Sequence, residues 1–587
     1  MVHVIVLPPA TGLRDLERID GAALGLLSGG IGNVPASQAY LDISQGARLN
    51  NSLYDGDVPI FQVGPKSGIP APQWRRARSR VADAPTDLEP GLLATALAEA
   101  GIPARAYPTA RNTAVIAATT TGMVDLNRCA ECPGLTVRRG TVGDAAAAAR
   151  DLAEGDLLIA FEAPPAGDDR LLAIAIAGLG SGTLQSRSTR IGGFVLATDL
   201  APTILDRFGL DVPPEMSGQV VAVEAGLDVS VLEALAGRLS EVSPRRGEAV
   251  GWTLLLWTSA AVAAGLVFRR RGLATLLPVL AIAVTLLPAA LLLAAALEPS
   301  EEVERLIAWF GPPALALGLL RYAGGWRALG LACALTVGAY AVDVVAGSPL
   351  TSRSLLGPNP ALGVRFYGIG NELEAILIAL VVIGTGALLA GFRPDASPRF
   401  RAAAFAIVAL LAVAAFAPGR FGADVGAAIA IPAAAAVSVA IALRATRIRL
   451  LLILAAPAAA LALLAALDLI LGGDAHLSRS VLEAGGLDEV GQVAERRLRL
   501  GASSFERYAD SPVLWATLLL IGAGIVWRRR VADWFDGRPE VWAAFLGAIA
   551  GTVVGTLAND SGALLLMIGT ALTSLCAAYA WAQRARV

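Results

Sequence analysis

Apolar positions are spread unevenly along this chain. Up to about residue 247 they come in short runs. Val2–Leu7 reads as a buried strand, residues 114–118 and 157–161 read similarly, and 92–100 and 145–152 carry helical periodicity between them. Strands alternating with helices predict an α/β sheet covered on both faces. From Trp252 onward, apolar runs of roughly 15 to 24 residues recur between short charged loops, and about 20 residues are needed per bilayer crossing. The pattern predicts an all-α polytopic membrane domain with eleven spans, at 250–268, 274–297, 306–320, 328–347, 370–391, 402–417, 424–443, 450–471, 512–527, 541–558 and 562–583. The third is short, and Pro312-Pro313 predict a kink in it. The expected division is an α/β domain over 1–247 and a transmembrane domain over 248–587, with a long loop at 472–511.

Composition agrees. At 587 residues and 55% apolar, the chain is too large and too hydrophobic for one soluble domain. A net charge of −2 points away from nucleic acid as a partner. Lys66 is the only lysine, and with the heavy Ala and Gly usage this suggests a GC-rich bacterial genome.

Arginine position sets the topology. Loops on one side carry 17 arginines, among them Arg269, Arg270, Arg271, Arg327, Arg401, Arg538 and Arg584, against 11 on the other. The positive-inside rule assigns the richer side to the cytoplasm. The protein is then a multi-pass component of the bacterial plasma membrane, with residues 1–247 extracytoplasmic and the C-terminus cytoplasmic. Export of a leading domain requires a signal, yet Val2–Leu7 is already a strand, so a leader upstream of Met1 is expected.

Three polar segments abut spans on the predicted outer face. They are Arg365-Phe366-Tyr367-Gly368-Ile369-Gly370-Asn371-Glu372, Gly419-Arg420-Phe421-Gly422-Ala423-Asp424 and Asn559-Asp560-Ser561-Gly562. An ionised side chain near hydrocarbon costs roughly 2.5–3.5 kcal/mol on insertion scales, so such groups mark function by default. Each segment has a plainer reading: a helix cap at Asn371 or Glu372, an Arg420–Asp424 ion pair at helical spacing, and a hairpin turn at 559–562. Glu374 falls about 200° round a helix from Glu372, which places the two on different faces. The acid–base candidates are Glu372, Asp424, Asp560 and His476, the one imidazole of the 472–511 loop. The candidates for gripping a substrate are Arg365, Tyr367, Asn371, Arg420, Asn559, Arg496 and Arg497, since guanidinium forks match phosphate oxygens. Arg496 and Arg497 also suit a headgroup-facing amphipathic helix.

In the first half, Thr198-Asp199-Leu200-Ala201-Pro202-Thr203-Ile204-Leu205, then Gly209-Leu210 and Met216-Ser217-Gly218, resembles the alkaline phosphatase superfamily, which includes sulfatases and phosphodiesterases. The resemblance covers most of 1–225 and implies that fold. It also implies two metals held by Asp and His, with a Ser or Thr nucleophile. Those parts do not carry over. Pro8-Pro9-Ala10-Thr11 stands where an Asp normally follows the first strand, no Asp-His pair exists, and His3 lies within the strand. Ser37 is the nearest nucleophile, or a helix-capping serine. A catalytically degenerate domain without metal is expected, and no cofactor is implied. Cys129 and Cys132 have no histidine nearby to complete a zinc site, which leaves a local disulfide or two thiols.

The membrane half is loosely similar to bacterial polysaccharide polymerases and O-antigen ligases, which use polyprenyl-phosphate carriers. The whole chain resembles bacterial polytopic membrane proteins with the same two halves and the Y-G-I-G-N-E segment, a resemblance that implies no activity. Taken together, the residues favour a cell-envelope protein with an outer-face site for a lipid-linked or phosphate-bearing precursor in contact with the bilayer. A transporter or flippase, a non-enzymatic scaffold and a surface phosphohydrolase are the competing classes, and the sequence leaves open whether chemistry occurs.

Overall fold

The computed structural model describes residues 1–32, 35–49, 60–64, 67–80, 88–109, 111–129, 132–164, 171–444 and 501–585, with scattered positions between 451 and 462. Contacts divide it into two units. One is Met1–Pro244 with Asn359–Phe366, and the other is Arg245–Pro358 with Tyr367–Val587.

The first unit is built on a mixed sheet. Its strands are β1 (Val2–Leu7), β2 (Ala22–Ser28), β3 (Ala104–Ala106), β4 (Asp125–Leu126), β5 (Leu135–Arg139), β6 (Leu157–Glu162), β7 (Leu172–Ala177), β8 (Gly182–Gln185), β9 (Phe194–Leu196) and β10 (Ala222–Glu224). They are ordered β10-β8-β2-β7-β6-β1-β5-β3-β4, with β9 also paired to β2. β1 lies between β5 and β6, parallel to both, with Val4 opposite Val137 and Ile159. β7 runs antiparallel to β2 and β6. β2, β6 and β7 are buried at every position, the continuous apolar pattern of strands covered on both faces. The helices are α1 (Leu13–Leu16), α2 (Ala36–Gln45), α3 (Ala71–Ser79), α4 (Leu92–Glu99), α5 (Val142–Arg150) and α6 (Leu200–Arg207).

Residues 114–118 correct the sequence expectation. They fall in a buried 3-10 turn, Thr113–Ala117, entered at Asn112, whose side chain accepts a hydrogen bond from Thr113 N. A five-residue apolar run satisfies a buried turn as well as a buried strand, and periodicity alone does not separate them.

The stretch that carries the family resemblance has a structural job here. Asp199 is fully buried and accepts from Ser188 Oγ (2.6 Å), Leu196 N (2.9 Å) and Gln219 N (2.9 Å). Thr203 Oγ1 donates to the Asp199 carbonyl and accepts from Val221 N. The Asp-Leu-Ala-Pro-Thr run thus satisfies the backbone where β9 passes into α6. Cys129 and Cys132 are joined as a disulfide.

Asn359–Phe366 is a strap within this unit. Gly32 N donates to the Leu362 carbonyl, and the Arg48 guanidinium donates to that of Gly363 and stacks over the Phe366 ring. Phe366 meets Phe194 edge-on at 5.4 Å. Gly363 has φ 66°, and a Cβ there would collide with the Gly30 carbonyl.

The second unit is helical. After α7 (Val229–Leu297), which begins in the first unit, come α8 (Glu301–Tyr322), α9 (Gly325–Val345), α10 (Asn371–Phe392), α11 (Pro398–Phe416) and α12 (Val425–Ala442). They are followed by α13 (Gly501–Arg507), α14 (Pro512–Val526), α15 (Arg528–Trp534), α16 (Pro539–Ala558) and α17 (Gly562–Ala585). Among the described residues, eight helices are long and apolar enough to cross a membrane, or nine if α13 and α14, bent by 115°, form one broken span. Arg269, at φ 53° and ψ −140°, breaks α7 between the predicted spans 250–268 and 274–297. α8 runs on through Pro312 and Pro313 as one 22-residue helix. The span predicted at 450–471 lies almost wholly outside the described residues.

Two ends of this unit differ in chemistry. Arg327 donates to the Gly391 carbonyl, Arg584 to that of Asp533, and Arg401 faces the buried Glu540 at 3.4 Å, so arginine-bearing loops meet at one end. The three polar segments approach the other.

Candidate functional site

The three segments are held together by named bonds. Gly368 sits at φ 77°, where its N–H reaches Ser348 Oγ (2.9 Å) and a Cβ would strike the Gly422 carbonyl. The next amide, Ile369 N, donates to that same carbonyl at 2.9 Å. This joins the first segment to the second. Gly370 is the N-cap of α10, so neither Asn371 nor Glu372 is spent as the cap residue. Asn371 instead reaches the third segment: its Nδ2 lies 3.2 Å from Asp560 Oδ1 and 2.7 Å from Ser561 Oγ.

At the centre lies Glu374, fully buried one turn into α10. Asn559 Nδ2 donates to Glu374 Oε2 at 2.6 Å and approaches Asn371 Oδ1 at 3.4 Å. Asn559 Oδ1 accepts from Ser561 N, which fixes the amide orientation. The Glu374 carboxylate faces Gly426 on α12, where any Cβ would collide with it. Glu372, not Glu374, is the acid–base candidate that the sequence offers. In the structure Glu372 is solvent-exposed and Glu374 is the enclosed group. The signal for Glu374 was its position inside an apolar helical run.

The remaining candidates take different places. Residues 419–424 form turns rather than a helix, so the spacing of Arg420 and Asp424 does not set them on one helical face. Asp424 is buried and caps α12 through Ala427 N (2.8 Å), whereas Arg420 is exposed. Asp560 is exposed and Tyr367 half-buried. Arg365 belongs to the strap of the first unit. His476, Arg496 and Arg497 lie outside the described residues.

A hollow of about 560 Å³ opens in the helical unit between α7 and α8. Arg245, Glu301, Glu304 and Arg305 form its charged rim, and Trp252 and Trp309 stand on its apolar wall. Arg245 pairs with the buried Glu304 at 2.6 Å. Its neighbour Arg246 donates to the carbonyls of Gly357 (2.5 Å) and Ser352 (3.3 Å). Gly357 in turn borders Gly370, the cap of α10, which places the hollow at the same end as the polar segments.

In the first unit, Pro35 is the N-cap of α2, so Ser37 is not the cap; it sits buried in the first turn. Among the described residues, the end of β1 brings no ligand set together for the metals that the family resemblance implies. Ala10 N donates to Glu162 Oε1 (2.7 Å), and Ala173 N approaches Glu162 Oε2, so this carboxylate serves backbone amides. His3 points from mid-strand, where burial and then Arg138 lower its pKa. Among the described residues, no three His, Cys, Asp or Glu side chains are grouped to hold a metal ion.

No protein family, curated protein or solved structure matches the chain.

Proposed function

We propose that the chain is a multi-pass protein of the bacterial plasma membrane acting in cell-envelope assembly. The polar end of its helical unit binds a phosphate-bearing, lipid-linked precursor on the outer face. The observation that carries this reading is the joining of three polar segments, distant in sequence, beside the buried Glu374: Asn559 donates to it, Asn371 bonds Ser561, and Ile369 N bonds the Gly422 carbonyl. Groups so placed in a membrane protein mark substrate or proton pathways more often than they stabilise it. The neighbouring hollow suits an amphiphile, with a charged rim for a headgroup and an apolar wall for a chain. Arginine-bearing loops at the opposite end support an outer position for the polar end. We read the first unit as an alkaline-phosphatase-like fold without its catalytic set, because Asp199 and Glu162 are committed to backbone amides.

The test compares Glu374→Gln, Glu372→Ala and Asp560→Ala with Ser37→Ala in cells, at equal membrane abundance. Envelope defects in the first three with a silent Ser37→Ala are expected. A defect confined to Ser37→Ala would move the activity to the first unit and overturn the reading.

A further inference from the structure

The arginine-bearing end of the helical unit holds a second hollow, of about 520 Å³. Its polar lining comes from three separated parts of the chain: Arg327 at the start of α9, Asp536 and Arg538 before α16, and Gln583 and Arg584 at the end of α17. Three guanidiniums thus face one carboxylate. Glu540 lies in the field of Arg538, but it is buried and faces Arg401 at 3.4 Å.

Donors remain available in this hollow. Arg327 uses Nε on the Gly391 carbonyl and Arg584 uses Nη1 on that of Asp533, which leaves the other nitrogens of each fork. The Arg538 side chain makes no hydrogen bond to a described residue. Gln583 Nε2 is buried and likewise has no partner among them. A buried amide donor left unpaired costs about 1–3 kcal/mol, which an acceptor ligand would remove. The 21-residue α9 also starts at this hollow, at Gly324 and Gly325, without a side-chain cap, so the positive end of its dipole adds to the field.

Two tryptophans, Trp326 and Trp534, complete the wall, and Trp326 packs on Tyr579 at 5.1 Å. Tryptophan at the ends of membrane-crossing helices marks the headgroup level. A basic hollow between helix ends at that depth matches a lipid phosphate better than a soluble anion.

We propose that this hollow binds the phosphodiester headgroup of an anionic glycerophospholipid. Arg538, Arg584 and Gln583 supply the donors, and the two tryptophans flank the glycerol. The assignment does not depend on the site at the polar end.

The experiment uses the full chain in nanodiscs and a photoreactive phosphatidylglycerol. Crosslinked peptides are mapped, with photoreactive phosphatidylcholine in parallel and inorganic phosphate as competitor. Phosphatidylglycerol should label 323–327, 534–538 or 580–584, and Arg538→Gln should reduce that labelling about tenfold, the loss expected for one charge-assisted contact. Gln583→Leu, which removes an unpaired donor, should reduce it while leaving thermal stability intact. Arg353→Gln at the other end, where Arg353 pairs with Glu298, should leave it unchanged. Equal labelling by phosphatidylcholine, or no loss in either Arg538→Gln or Gln583→Leu, overturns the proposal. Full displacement by millimolar inorganic phosphate identifies a free phosphate ligand and overturns the lipid assignment.

Discussion

Asn559 is the residue on which the polar end turns, because its side-chain amide serves Glu374, Asn371 and Ser561 together. Asn559→Ala leaves a buried carboxylate without that donor and should destabilise the protein by about 1–3 kcal/mol. A lower thermal midpoint of the full chain in detergent checks this. Combined with Glu374→Gln, the loss should be less than additive, since the two residues share one bond. A second residue-scale prediction concerns Asp42, fully buried on α2 beside Gln38, Gln45 and the Arg80 guanidinium. Burial raises its carboxyl from 3.8 to about 7, against the pull of Arg80. The folded state therefore binds the proton more tightly than the unfolded one. The Asp42 contribution to the stability of this unit is greatest below about pH 4, falls by a few kcal/mol as pH rises from about 4 to 7, and stays lower above that. Amide exchange in α2, corrected for intrinsic rates, should be faster at about pH 8 than at about pH 5.5, and Asp42→Asn should flatten the difference. Neither arrangement was legible in advance. Glu374 was named and set aside because helical angle separated it from Glu372, and angle alone does not say which face is enclosed. Asp42 depends on Arg80, whose approach only tertiary structure creates.

At the scale of elements, apolar runs of similar length gave different outcomes. Val2–Leu7 and Leu157–Glu162 are strands as their apolar runs imply, and the helices near 92–100 and 145–152 form with ends shifted by a few residues. Residues 114–118 failed because five apolar residues fit a 3-10 turn equally well. The packing of α16 has a clearer code. Gly547, Gly551 and Gly555 recur every fourth residue, and Gly551 packs against Ile378 of α10 and Ala434 of α12. A Cβ at 551 would lie 2.6 Å from Ile378 Cγ2. Gly551→Val should therefore cost about 1–3 kcal/mol through overpacking. Gly522→Val on α14, where a Cβ meets nothing within 4 Å, should leave the thermal midpoint unchanged and serves as the control.

At the scale of the whole molecule, the change from soluble to membrane composition near residue 247 was plain, because hydrophobic length is a local property. The strap was not. No local pattern marks Asn359–Phe366 as belonging with Gly32, Arg48 and Phe194, more than 150 residues earlier. Orientation can be read with introduced cysteines, since Cys333 and Cys576 are buried and Cys129 is bonded to Cys132. Asp560→Cys should react with an impermeant maleimide on intact cells, and Arg529→Cys only after permeabilisation; the reverse pattern would invert the topology. The most direct test of the proposed site is photocrosslinking with a polyprenyl-phosphate analogue in proteoliposomes. The wild-type protein should be labelled within 245–259, 301–309, 371–374 or 559–561. Glu374→Gln with Asn559→Ala should lower that labelling about tenfold at unchanged protein level. Equal labelling in the double variant, or equal labelling by the uncharged polyprenol, would contradict a phosphate-bearing lipid at the polar end.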